Sequence, residues 1–196
     1  LDPRRQRMPP RYVCLDFETN GFPKRGAPYP DWPLPFSSYP TQLSVDIVED
    51  GEVWHAFDTL IWGAEQLAPW VRANVPISLE DLEEGVLFQE AVRALARLLR
   101  DGDTIVAHNA GFDLDMVLAR AARRLDCEGL AQQVLALPRF CTMRCAYSRA
   151  ALGRQPSLKD LCAHFEVVLE GAHDARADSA ALARCVAEAL RRGVML

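Results

Sequence analysis

The sequence has no pair of cysteines at CxxC spacing, although it contains six, at 14, 127, 141, 145, 162 and 185. That excludes a zinc ribbon or a thioredoxin-type motif. Several of the six lie inside apolar runs and read as buried thiols of a reducing, intracellular compartment, cytoplasm or nucleus, and not as disulfide partners. No apolar run approaches the ~20 residues of a membrane span and no signal-peptide pattern is present, so a membrane partner is not expected. Basic charge is also short, with 22 Lys plus Arg against 27 Asp plus Glu and a formal charge of −5. A chain that grips long duplex by its backbone is usually basic, so any nucleic-acid contact here is expected to be local and short. There is no internal repeat, low-complexity tract or second domain. What remains is 196 residues, 49% hydrophobic and 25% charged, enough for one α/β domain over 11–192 with a real core and an N-terminal tail, 1–10.

The chain is organised around Tyr12-Val13-Cys14-Leu15-Asp16-Phe17-Glu18-Thr19-Asn20-Gly21. A β-prone apolar run ends in two acids, and side chains two apart on a strand share a face. Adjacent carboxylates repel and are each costly to desolvate. A divalent cation between Asp16 and Glu18 removes that cost, and oxygen ligands suit magnesium or manganese. A solvated strand end with both acids in water is the other reading.

After the acids, 22–40 carries six prolines interleaved with Phe22, Tyr29, Trp32, Phe36 and Tyr39. The expectation is extended backbone, neither strand nor helix. Three roles are open to this insertion: a cover over the site, a packed surface loop, or a docking segment for a partner. Leu43, Val45 and Ile47 alternate as a strand, Asp50-Gly51 signals a hairpin, and Val53–Phe57 returns. A short helix is expected near 67–73, and the acids at 80–84 start another. Phe88, Val92, Leu95 and Leu99 form a helical stripe with Arg93, Arg97 and Arg100 opposite. Thr104–His108 reads as a buried strand, followed by a helix from 111 to about 125 with Leu114, Leu118, Ala121 and Leu125 inward. A short strand at 139–143, a helical segment near 144–151 and a Ser157-capped helix to Phe165 follow. The last helix runs from about 176 to 191.

That last helix carries an acid on its apolar stripe. Stepping back four residues from Leu182 reaches Asp178, and no lysine or arginine lies on the stripe to pair with it. A buried unpaired carboxylate needs a metal or a proton; the other reading is an N-terminal acid favoured by the helix dipole. His173 precedes Asp178 by five residues, about 140° away on a helix, so the two share a site only if His173 sits on the preceding loop. Asp113 opens a helix at a strand-to-helix junction, where α/β folds place ligands. Asp115 falls about 200° round from it, toward solvent.

The three segments Asp16-Phe17-Glu18-Thr19-Asn20-Gly21, His108-Asn109-Ala110-Gly111-Phe112-Asp113 and His173-Asp174-Ala175-Arg176-Ala177-Asp178 together resemble the DEDDh 3′–5′ exonuclease family. The likeness covers about 11–192. It implies a ribonuclease-H-like α/β fold, a mixed five-stranded sheet flanked by helices with three antiparallel strands first. It also implies that Asp16, Glu18, Asp113 and Asp178 hold two divalent metals, Mg²⁺ or Mn²⁺, and that His173 is the general base. Four carboxylates carry −4 and two divalent ions +4, so such a site is neutral before phosphate arrives. The implied reaction is hydrolysis at single-stranded DNA or RNA 3′ ends with release of nucleoside 5′-monophosphates. By the same resemblance, Phe17 and Thr19 meet the terminal nucleotide through backbone and Phe112 packs on its base. Asn109 either contacts substrate or caps the helix. His108 reads as structural. Two departures stand out: the inserted 22–40, and Cys141-Thr142 where many members have an acid before the threonine. The rival readings are an idle nucleic-acid-binding module on this fold and an exoribonuclease confined to very short oligonucleotides.

Overall fold

Changes in apolar period mark the elements. The computed structural model describes residues 10–22, 38–152 and 155–194. Strand β1 (Arg11–Thr19) pairs antiparallel with β2 (Pro40–Glu49), and β2 with β3 (Glu52–Leu60). Asp50 and Gly51 both have positive φ, 55° and 80°, the requirement of a tight two-residue hairpin. Helices α1 (Pro69–Asn74), α2 (Leu79–Glu83) and α3 (Phe88–Leu98) carry the chain back so that β4 (Thr104–Ala107) lies parallel to β1. A π-helical stretch, Gly111–Leu118, continues into α4 (Ala119–Arg124); α5 (Glu128–Leu135) then leads to β5 (Arg139–Cys141), parallel to β4. Helices α6 (Ala146–Leu152), α7 (Leu158–Phe165) and α8 (Ala175–Arg191) complete the chain. The sheet order is β3-β2-β1-β4-β5. This is the mixed sheet, antiparallel in its first three strands, that the resemblance implied.

Both faces of the sheet are covered, and the alternation along β1 divides its side chains between them. Val13, Leu15 and Phe17 join Phe88, Val92 and Leu95 of α3 and Leu114, Val117 and Leu118 of the π-helical stretch. Cys14 joins Leu161 and Phe165 of α7 and Leu182, Cys185 and Val186 of α8. Each large aliphatic side chain so buried contributes about 1.5–3 kcal/mol. Asp16 and Glu18 are in phase with Cys14, so the same alternation sends them to the α8 side. At the other end of β1, the Arg11 guanidinium bonds Asp103 at 2.5 Å and the Leu98 carbonyl at 3.2 Å, fixing the strand to the α3–β4 turn.

Several expectations need correction. The helix after β4 is π-wound over its first eight residues, so the angular argument for Asp115 does not apply to it. Asp115 is nonetheless exposed and pairs with Arg139 at 2.6 Å. Helix α5 was not anticipated. Pro40 does not belong to an irregular segment but opens β2, where its missing N–H costs nothing at the strand's first residue. Leu99 is the C-cap of α3 and only partly buried. Ser157 does cap α7, accepting from the Asp160 N–H at 3.2 Å while Asp160 accepts from the Ser157 N–H at 2.9 Å. Residues 23–37, most of the proline-aromatic insertion, lie outside the described residues.

Candidate active site

Three elements converge at the C-terminal end of β1. Strand β1 supplies Asp16 and Glu18, the π-helical stretch supplies Asp113, and α8 supplies Asp178. Asp113 is 2% exposed, and its Oδ1 accepts the Phe17 main-chain N–H at 3.1 Å, which ties the helix start to the acidic strand. Asp178 faces the interior in phase with Leu182, and its Oδ1 is buried with no hydrogen-bond partner among the described residues. His173 sits on the loop before α8 at φ 68°, two residues ahead of the helix. One ligand-type atom from each of Glu18, His173 and Asp178 lies within 4.8 Å of the other two. The imidazole therefore stands beside the acids.

The electrostatics are those of an acid cluster lacking its counter-charge. Among the described residues no lysine or arginine pairs with any of the four acids. Burial pushes Glu18 up to about 8, helped by the charges of Asp178, Asp113 and Asp174. Asp113 is pushed up to about 7 by burial, opposed by the main-chain N–H groups of Phe17 and its own residue. Burial raises Asp178 to about 6 against the opposing effect of the His173 N–H and ring. Asp16 is held well above the carboxylate range by burial and then by Asp113, Glu18, Asp178 and Asp174. An orphaned buried carboxylate oxygen within an all-acid set fits hard divalent cations, which take oxygen ligands.

This cluster makes the metal-free protein sensitive to pH. Each raised acid keeps its proton in the folded state between about pH 4 and its folded value, while the unfolded chain has released it. The stability from these groups is therefore complete below about pH 4 and is lost as pH rises through about 6 to 8. In chelator the melting temperature should fall across that interval, at roughly 2–4 °C per kcal/mol for a domain of this size. Magnesium or manganese should reverse most of the fall at pH 8. A melting temperature flat from pH 5 to 8 in chelator would sink this account of the cluster.

The remaining expected positions divide. The Phe17 ring is in the core, and Thr19, 2% exposed, donates its hydroxyl to the Gly21 carbonyl at 3.2 Å. Any substrate contact they make is through main chain. The Phe112 ring is partly buried at the site and meets Phe22 at 5.3 Å. Asn109 does not cap through its side chain: the N-cap position belongs to Ala110 without a side-chain bond, and Asn109 Oδ1 is buried without a partner among the described residues. His108 is structural, as expected, bonded to Thr142 Oγ1 and the Pro156 carbonyl at 3.0 Å each. Thr142 is fully buried in that contact beside Cys141.

Sequence reasoning missed the residues that brace the site. Buried Asn20 accepts the Tyr39 N–H at 2.9 Å through Oδ1 and donates to the Gln66 carbonyl at 3.2 Å; its own carbonyl accepts the Ala68 N–H at 2.8 Å. One residue, through side chain and main chain, thus joins the acidic strand, the return from the insertion and the start of α1. Gln42 on β2 donates to Asp174 Oδ1 at 3.0 Å and accepts the Ala175 N–H at 3.1 Å, clamping the α8 N-terminus. Asp174 is the N-cap of α8, a signal legible in its position just ahead of the helix. Nothing local marks Asn20 or Gln42, because their partners are distant in sequence.

The sheet order and its helical layers define a ribonuclease-H-like α/β domain. Within that class the chain belongs to the RNase T exonuclease family of DEDD type, whose model matches residues 13–186. A comparison with curated protein sequences finds no match. Among solved structures, E. coli exonuclease I in complex with a dA16 oligonucleotide is similar at 16% identity and a TM-score of 0.69, covering 93% of this chain and 41% of that one. A 3′-exonuclease described in 3′-end-specific recognition of a histone mRNA stem-loop matches at 14% identity and 0.68, covering 95% and 84%. S. pombe Pop2p, solved with Mg²⁺ and Mn²⁺ bound, matches at 15% identity and 0.63, covering 92% and 83%. No helix among the described residues is long and apolar enough to cross a membrane.

Proposed function

We propose that this chain is a 3′–5′ exonuclease that hydrolyses the terminal phosphodiester of single-stranded DNA or RNA and releases nucleoside 5′-monophosphates. The observation that carries the reading is the convergence of Asp16, Glu18, Asp113 and Asp178 without a cationic partner among the described residues, with His173 beside them. Two Mg²⁺ or Mn²⁺ ions bound by the four carboxylates would neutralise their charge and supply Lewis-acid stabilisation to a phosphoryl transfer. His173 takes the proton of the attacking water. Phe112 packs on the terminal base, Asn109 lies where it can contact the terminal nucleotide, and main-chain groups near Phe17 and Thr19 hold its backbone. The insertion at 22–40 governs which ends are accepted. Relatives named for work on an mRNA stem-loop and on a DNA oligonucleotide support a nucleic-acid substrate of either sugar.

End-labelled single-stranded DNA, RNA and duplex with recessed or overhanging 3′ ends, resolved on a gel, test this reading. Cleavage should proceed from the 3′ end, stop in chelator and return with magnesium or manganese. Full activity in chelator would end the two-metal reading. Binding without cleavage under all conditions would leave an idle module, and cleavage only of the shortest oligonucleotides would restrict the substrate to those.

A further inference from the structure

A half-exposed tryptophan faces the candidate base. Trp70 is the second residue of α1 and is 46% exposed. The small core around that helix is closed without it, by Leu67, Val71, Val75, Ile77 and Leu82. Its indole meets the His173 imidazole edge to face, with ring centroids 4.9 Å apart at 82°. Such pairs are attractive beyond the area they bury. No hydrogen bond from a described residue fixes the imidazole ring, and the His173 backbone sits at φ 68°, a conformation uncommon outside glycine. His173 is exposed, and the Trp70 indole is the aromatic ring its imidazole packs against among the described residues.

Trp70 is itself held to the strand bearing the acids. The Ala68 N–H, at the N-cap of α1, bonds the Asn20 carbonyl at 2.8 Å, and the Asn20 amide bonds the Gln66 carbonyl at 3.2 Å. Asn20 lies two residues after Glu18 on the same run of chain. Phe22 then meets Trp70 at 6.3 Å and Phe112 at 5.3 Å, so ring contacts continue from His173 to the second motif. We propose that Trp70 is a positioning residue of this nuclease site, whose indole holds the His173 imidazole beside Glu18 and Asp178. The inference rests on the base role given to His173 above.

The test is a double-mutant cycle in single-turnover cleavage at saturating magnesium and oligonucleotide. Trp70→Ala should lower the rate about tenfold, the scale expected when a catalytic group loses its alignment, while metal and substrate affinity change less than about twofold. Trp70→Phe should stay within about threefold of wild type because a ring is retained, whereas Trp70→Leu, which fills space without a ring, should resemble the alanine variant. In a His173→Ala background, Trp70→Ala should add no further loss. The imidazole proton resonances of His173 should move in Trp70→Ala and Trp70→Leu as the ring current is removed. Additive losses in the cycle, or a raised KM with unchanged kcat, would overturn the positioning role while leaving His173 as base. Wild-type cleavage by His173→Ala would instead overturn the base role, and this inference with it.

Discussion

Alanine at Asp16, Glu18, Asp113 or Asp178 should abolish cleavage, and the metal-free variants should melt higher than the metal-free wild type at pH 8. Both effects have one cause. The four acids lie together, Asp113 buried and the other three partly buried, without a cation among the described residues, so ionising them costs folding energy, and divalent ions would relieve that cost on binding. Metal assistance to a phosphoryl transfer is worth several kcal/mol, and at 1.36 kcal/mol per tenfold its loss lowers the rate by about 10³ or more. Amide replacements sharpen the stability half of the test, since they keep hydrogen bonding while removing charge. At pH 8 the gain should be larger for Glu18→Gln than for Asp178→Asn, because Glu18 is pushed up to about 8 and Asp178 to about 6. Asp113→Asn should keep the acceptor used by the Phe17 N–H. Calorimetry in chelator and a single-turnover assay measure the two effects separately. A variant that cleaves at the wild-type rate removes its residue from the metal set, and one that melts lower in chelator shows that its carboxylate was holding structure.

How far these acids can be read from sequence depends on period. Strand alternation alone puts Asp16 and Glu18 on one face, and the four-residue step from Leu182 alone turns Asp178 inward; the structure bears out both orientations. The five-residue offset of His173 from Asp178 places it on the loop, where it lies. The Asp50-Gly51 hairpin and the later alternation of helices with strands are legible locally, whereas the mixed five-stranded sheet was implied by the family resemblance. Other features have no local signature. A π-wound turn at 111–118 keeps Leu114 and Leu118 buried as an α-helix would, so apolar spacing does not distinguish the two. Helix α5 is eight residues long and its N-cap, Cys127, makes no side-chain bond, leaving no start signal. Asn20, Gln42 and Trp70 act on residues 19 to 133 positions away, or across the site, and only the folded chain brings them to their partners.

His173→Ala should lower turnover by about 10²–10⁴, the usual worth of a general base, with substrate affinity little changed. In the proposed reaction the water that attacks the phosphorus must lose a proton, and His173 is the group proposed to take it. In that reaction the acids would hold the metals, and His173 stands close to Glu18 and Asp178 without a hydrogen bond from a described residue to hold its ring. The same proximity allows a different role, because a nitrogen within 4.8 Å of two carboxylate oxygens is also placed as a ligand. The two roles separate experimentally. If His173 is a base, the mutant's deficit persists at saturating magnesium and added imidazole restores part of the rate. If it is a ligand, the deficit closes as magnesium or manganese is raised, and calorimetry shows weakened metal binding. A pH profile alone does not decide between them, since Asp178 and Glu18, pushed up to about 6 and about 8, must also lose protons before metals bind. Rates compared at saturating metal remove that contribution. A mutant that cleaves at the wild-type rate would take His173 out of the mechanism and leave proton removal to solvent.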